Sequence, residues 1–387
     1  ITHKGSAMNL PELQQDEALR CREFPVSGDK VYLAHAGVSP VPACVGRAVA
    51  SAVSAAARDD QEEGLSTLLR QTRARASELL GADPGEVALI GPTTTGISAV
   101  AAGLDWQEGD EVLIYQDDFP VNVYPWQALE SRGVKVRRLS TPALGEITPE
   151  LVVEQLTAKT RLVALASCHF VSGYRIDHDA IGRLLRERDV LFCLDAIQTL
   201  GAFPTTVEHV DFLAADAHKW LLGPCAAGVF YVRRDLQDRL APQAFGWNNV
   251  RCPNYVAQET MNLRSDARRY EAGSFNILGI AGLNAALGLL LEVGIDAIAA
   301  DLTTKRTGLA AALQAKGYEV YFPEGQQTGG ITSCWREGTD MKVVGERLAA
   351  ENIIASVRGD RAGRDYLRFS PHFYNTSSDI DLALELL

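Results

Sequence analysis

Between about residue 85 and residue 232, short apolar runs alternate with helix-length segments. The runs "EVALIG", "DEVLIY", "VKVRRLS", "TRLVALAS", "VLFCLD", "VDFLAADA" and "AGVFYVR" predict strands. Between them, "TTTGISAVAAGL", "NVYPWQALESRG", "PELVVEQLT" and "DAIGRLLRERD" predict helices. Strands that are apolar at consecutive positions are buried on both faces, as in a sheet covered by helices. The alternation predicts an α/β sandwich with a mostly parallel sheet, and ligands in such sheets sit beyond the carboxyl ends of the strands.

After about residue 275 the pattern changes. A long apolar helix is followed by "RTGLAAALQAKG", by strand-like "YEVYFP", "GGITSCW" and "YLRFSPHF", and by a closing helix "DIDLALELL". This predicts a smaller α+β C-terminal domain. The expected division is a large domain over 31–274, a small domain over 275–387, and a segment 8–30 packing with the small domain. Residues 1–7, "ITHKGSA", read as a leader ahead of a natural start at Met8. The most apolar stretch, "AGLNAALGLLLEVGIDAIAA", carries Asn284, Glu292 and Asp296 and reads as a core helix. No segment reads as a membrane span or a signal peptide.

A net charge of −12 and a sequence pI near 5.1 argue against nucleic acid or an anionic membrane as partner. Seven scattered cysteines with no CxxC suggest reduced, mostly buried thiols in a cytoplasmic protein. No metal-ligand spacing stands out.

Three positions at strand ends carry candidate chemistry. In "AADAHKWLLGP", Lys219 follows an apolar run; a surface lysine is the bland reading, a nucleophilic amine in a partly dry site the sharper one. Asp195 ends the strand "VLFCLD", where it is either a helix N-cap or the partner of a cation. Thr93, Thr94 and Thr95 stand where a strand gives way to a helix, and suit either a simple cap or an anion cradle. Neighbouring parallel strands open on one edge, so Asp195 and Lys219 can share a cavity. Pyridoxal phosphate needs all three: an amine for an imine, a carboxylate to keep its ring nitrogen protonated, and a cradle for its phosphate.

In this order the motifs resemble the class V aminotransferase family, which includes cysteine desulfurases, selenocysteine lyases and epimerase-like proteins. The resemblance runs through "VYLAHAGVSPVP", "GPTTTGI", "DDFPVNVYPW", "LDAIQTLG", "DAHKWLLGP", "RRYEAGSFN" and "YLRFSPHFYNT", from Val31 to Thr376. It implies the type I fold of PLP-dependent transferases and pyridoxal 5'-phosphate as cofactor. It further implies Lys219 as the Schiff-base lysine, Asp195 on the ring nitrogen and Ala196 on one ring face. Gln198 falls on the ring hydroxyl, and His218 with Thr93, Thr94 and Thr95 falls on the phosphate. Ser274 matches a residue reaching the phosphate of the other subunit of a homodimer. His35, Ala36, Gly37 and Arg368 fall on the substrate, with the planar fork of Arg368 on its carboxylate. The blander alternatives are a surface glutamine for Gln198, a core histidine for His218 and a structural ion pair for Arg368.

The departures bear on the reaction. Phe119 stands where desulfurases place a histidine over the ring, so it can stack there but move no proton. Asp216 stands where a hydroxyl would touch phosphate, and is expected to turn away or pair with a cation. His169 or Phe170 replaces an asparagine near the ring hydroxyl. The interval between "SVRG" and "YLRFS", where a desulfurase carries its nucleophilic cysteine, holds only "DRAGRD". The expected function is therefore Cα proton abstraction on a small amino acid followed by α,β-elimination of C–S lyase type, without a protein persulfide. Either His35 or His169 is a candidate acid. Epimerisation and transamination are the enzymatic rivals, and a non-catalytic binding protein on the same fold the rival of another class.

Overall fold

The structure is a computed structural model that describes residues 9–322 and 327–387. The expectations placed on residues 1–7 and on Met8 lie outside the described residues.

Seven strands form one sheet in the order Val87–Ile90, Gly228–Val232, Phe212–Asp216, Leu191–Asp195, Thr160–Ala166, Glu111–Ile114, Lys135–Arg138. Only Gly228–Val232 runs against its neighbours; every other pairing is parallel. Burial explains the unbroken apolar runs. Leu213 and Ala215 enter one core with Phe192 and Leu194, while Phe212 and Ala214 enter the opposite core with Leu191 and Cys193. Successive side chains thus feed two cores, one on each face. The helix Thr93–Gly103 lies close on the sheet because Gly96 has no side chain. A Cβ there would stand 2.7 Å from that of Ala214.

The helix expected over "NVYPWQALESRG" is broken. Pro120 and Pro125 each open a short turn of helix, at Pro120–Asn122 and Tyr124–Gln127, and a tighter turn over Ala128–Arg132 closes at Gly133 with φ of 81°. Proline fits a first helical turn and not an interior, so the segment restarts at each one. The break leaves Asn122 facing the end of the strand Leu191–Asp195.

The small domain is a four-stranded antiparallel sheet in the order Ser356–Gly359, Asp365–Phe369, Thr332–Trp335, Glu319–Val320. Its own core includes Leu309, Leu348, Leu367 and Phe369. Residues near the N-terminus reach it through Arg20, which donates to Asp379 at 2.8 Å, and through Phe24, stacked on Tyr374 at 4.1 Å. The boundary expected at 274/275 falls just before helix Ile277–Val293. Helix Ile277–Val293 packs on Ala43–Ala56 and Leu65–Leu80 of the large domain. The chain bends by 78° before Ile295–Ala315, whose Leu309 enters the small-domain core. The apolar stretch read as one core helix is split by this bend at Gly294. Among the described residues, no single helix is long and apolar enough to cross a membrane.

Candidate active site

The strands Leu191–Asp195 and Phe212–Asp216 lie side by side and in parallel, with Asp195 opposite Ala214. Their carboxyl ends open on a cavity of about 450 Å³ that both Asp195 and Lys219 line. Lys219 leaves the second strand three residues after Asp216. Its backbone is pinned by Ser39, whose Oγ donates to the Lys219 carbonyl at 2.6 Å. Among the described residues its amine makes no hydrogen bond, and it stands 5.3 Å from the centroid of the Phe119 ring. Burial lowers its pKa to about 8 against the pull of Asp195, with Arg368 and Arg358 adding to the drop.

Asp195 is 1% exposed. No helix starts behind it. The Ile197 N–H donates to Oδ1 at 3.0 Å and closes a turn, while Asn122 Nδ2 donates to Oδ2 at 3.0 Å. Burial raises the pKa of this carboxyl, and the Ile197 N–H, Lys219 and Asn122 pull it back.

The helix Thr93–Gly103 points its first turn into the same cavity, which Thr93 and Thr94 line. Pro92 occupies the cap, so no side chain caps this helix. Instead the Thr93 hydroxyl accepts from the Asp216 N–H at 2.9 Å and ties helix to strand. Asp216 lines the cavity with its carboxylate already engaged. Its carboxylate accepts from the N–H groups of Ala217, Ala226 and Ala227 and from His218 Nδ1 at 2.8 Å. That bond leaves His218 Nε2 for the cavity.

Gln198 lines the cavity with its amide already oriented. Its oxygen accepts from Trp220 Nε1 at 2.8 Å and its nitrogen donates to the Ala36 carbonyl at 3.1 Å, which leaves one N–H to offer. Arg368 is 1% exposed. One terminal nitrogen donates to the Phe170 carbonyl at 2.5 Å, while Nε and the other terminal nitrogen have no partner. Burial, reinforced by Arg358, lowers its pKa to about 9. Such buried, unsatisfied donors call for an anion. Ala36 and Gly37 also line the cavity.

Several expected site residues fall elsewhere. His35 is fully buried, donating through Nδ1 to the Ser370 carbonyl and accepting at Nε2 from Tyr374, so it does not face the substrate. His169 is spent on the Asp117 carbonyl and on Ser172, and the neighbouring Phe170 lines the cavity in its place. Burial lowers both imidazoles to about 4, so neither is a ready acid. Ala196 is buried behind the turn, Thr95 lies outside the lining, and Ser274 is exposed and away from its own chain's cavity. The sequence reading did not single out Asn122, Arg358 or Tyr32, all of which touch this site or its carboxylate. An asparagine two residues past Pro120 was the signal available for the first.

Residues 31–383 match the sequence profile of the aminotransferase class-V family, so the chain belongs to that family. A probable cysteine desulfurase of Methanothermobacter thermautotrophicus is 28% identical over 95% of this chain and 96% of its own. A cysteine desulfurase from Thermococcus onnurineus NA1 superimposes with a TM-score of 0.89 at 21% identity, covering 99% of this chain and 98% of its own. A cystine C–S lyase, solved with its product cysteine persulfide, superimposes with a TM-score of 0.86 at 23% identity, covering 94% and 98%. The fold is the type I fold of PLP-dependent transferases, and pyridoxal phosphate is the cofactor. The cavity fits it: an amine without a partner, a buried carboxylate across from it, the first turn of a helix for a phosphate, and unpaired guanidinium nitrogens for a substrate carboxylate.

Proposed function

We propose that this protein removes the Cα proton of a small amino acid and eliminates a sulfur leaving group from its β-carbon, releasing the sulfur to solution. The observation that carries this reading is the content of the cavity. Lys219, Asp195 and Arg368 line it together, and none of the seven cysteines does. The related desulfurase sequence and the structural likeness to a cystine C–S lyase support C–S chemistry.

Arg368 binds the α-carboxylate through the nitrogens that lack partners. Lys219, its amine made available near neutrality by burial, takes the Cα proton. When bound, pyridoxal phosphate supplies the electron-poor ring that stabilises the electrons left behind. Asp195, held by Asn122 and the Ile197 N–H, keeps its negative charge aimed into the cavity. Thr93, Thr94 and His218 hold the phosphate end, with Asp216 fixing the imidazole. The Cβ–S bond then breaks with no attack by a protein thiol. The rival reading, epimerisation with two bases, loses support because His35 and His169 are both engaged elsewhere.

The reading includes a homodimer in the cytoplasm, with Ser274 completing the partner's site. Exposed Phe245, Tyr255, Val256 and Met261 crowd the segment leading to it, an apolar surface suited to a second copy. The test is to incubate the purified holoenzyme with cystine, cysteine, alanine and a keto-acid acceptor. Pyruvate, ammonia and a soluble persulfide from cystine support elimination. Inverted alanine or an aminated acceptor without pyruvate contradicts it.

A further inference from the structure

We infer that Trp220 is a positioning residue for the cofactor: its indole N–H fixes the amide of Gln198, so that one N–H of that amide is held towards the ring of bound pyridoxal phosphate. The inference goes beyond the proposed elimination and holds whichever reaction the cavity carries out.

Trp220 follows Lys219 directly, yet it is 0% exposed and reaches Gln198 from outside the cavity lining. Its Nε1 donates to Gln198 Oε1 at 2.8 Å, and Gln198 Nε2 donates to the Ala36 carbonyl at 3.1 Å. An indole N–H can only donate and a carbonyl can only accept, so these two partners permit one orientation of the amide. Its oxygen is spent away from the cavity, and what Gln198 offers there is the second N–H of Nε2. Without the indole N–H, that oxygen would be a buried acceptor with no partner, and the amide would gain by turning out of its present orientation.

Trp220 is itself fixed at its carbonyl and at its ring. The carbonyl accepts from His372 Nε2 at 3.0 Å, and His372 Nδ1 accepts from the Phe373 N–H at 2.8 Å, so Nε2 carries the imidazole proton. Gly201, with φ of 94°, passes the same carbonyl so closely that a Cβ there would stand 2.6 Å from its oxygen. Gly330, just ahead of the strand Thr332–Trp335, leaves room for the indole, since a Cβ there would stand 2.4 Å from Cη2. Packing alone asks only for a large apolar side chain at this place; the bond from Nε1 to Gln198 is what a tryptophan adds. Lys219 and the Gln198 amide are thus set by consecutive residues, the lysine through Ser39 on its carbonyl and the amide through Trp220.

The test titrates the absorption of the bound cofactor against pH in the holoenzyme. The cofactor ring carries one phenolic oxygen; a donor held on it draws off negative charge and lowers the pH at which the absorption changes. Trp220→Phe keeps an aromatic ring and removes the N–H. It is expected to raise that midpoint by about one unit and to speed the loss of cofactor on dialysis by about tenfold, the size of one charge-assisted hydrogen bond. Gln198→Leu is expected to do the same, and the double variant no more than either alone, because both changes remove one contact. Wild-type midpoint and dialysis rate in Trp220→Phe, or shifts that add in the double variant, overturn the inference and leave Trp220 a packing residue. A second replacement guards against a mere packing defect: β-(3-benzothienyl)alanine placed at position 220 keeps the shape of the indole and lacks its N–H. The same two shifts with this isostere support the inference, and wild-type values overturn it whatever Trp220→Phe does.

Discussion

Asn122 Nδ2 donates to Asp195 Oδ2 at 3.0 Å, across a gap that the broken helix at Pro120 and Pro125 creates. Among the described residues, the bond is one of two that hold a carboxylate 1% exposed to solvent. Asn122→Ala should lower kcat by about tenfold while cofactor still binds. It should also cost about 1–3 kcal/mol of stability, because a buried charge loses a donor. Steady-state kinetics and denaturant unfolding check both; an unchanged kcat would remove Asn122 from the account.

Asp216 gathers three backbone N–H groups and His218 onto one carboxylate. Asp216→Ala leaves those donors buried and frees the imidazole to turn. Cofactor should be lost faster on dialysis, and the melting temperature should fall by several degrees, as expected for roughly 1–3 kcal/mol. Retention of cofactor equal to wild type would show that His218 needs no such support.

A Cβ at Gly37 would meet the Ala34 carbonyl oxygen at 3.2 Å and project between Arg358 and Arg368. Gly37→Ala should therefore raise KM by about tenfold through one lost charge-assisted contact, with a much smaller change in kcat. Equal falls in kcat and kcat/KM would place the defect in the chemistry rather than in carboxylate binding.

Burial lowers Lys219 from its ordinary 10.5 to about 8. In the cofactor-free protein, uptake of pyridoxal phosphate should accelerate as pH rises through about 8, because only the neutral amine is a nucleophile. Stability follows the same group. Between pH 8 and 10.5 the unfolded chain holds a proton that the folded chain has released, so the cofactor-free protein gains stability as pH rises through that window. Lys219→Met should lack this increment. Unfolding curves across the window, wild type against variant, measure it, and parallel pH profiles would contradict the assignment.

How much of this was legible in the sequence follows from what each signal encodes. Consecutive apolar residues in "VLFCLD" and "VDFLAADA" encode two-faced burial, so the parallel sheet and the strand ends at Asp195 and Asp216 were readable. Lys219, Gln198 and His218 line the cavity because they lie just past those ends, Thr94 because it opens the helix after Val87–Ile90, and Arg368 because it sits on the facing strand. His35 and His169 misled because a histidine's type does not reveal which partners it meets. Ser370, Tyr374, Asp117 and Ser172 become their neighbours only through tertiary folding. Arg358 was hidden for a similar reason. Its meaning lies in the register that pairs Ser356 with Arg368, a long-range fact. The packing of Ile277–Val293 on Ala43–Ala56 and Leu65–Leu80 was hidden for the same reason, because it joins segments more than 190 residues apart.

The central claim is elimination without a protein thiol. Cys168, Cys193 and Cys334 are buried, with burial pushing Cys168 and Cys334 to about 12, and the hairpin between Ser356–Gly359 and Asp365–Phe369 carries none. The most direct measurement is the intact mass of the holoenzyme, alkylated in the midst of turning over cystine. The account predicts persulfide in the small-molecule fraction and no sulfur added to the protein. A persulfide on any of the seven cysteines, appearing and decaying at the turnover rate, would contradict it.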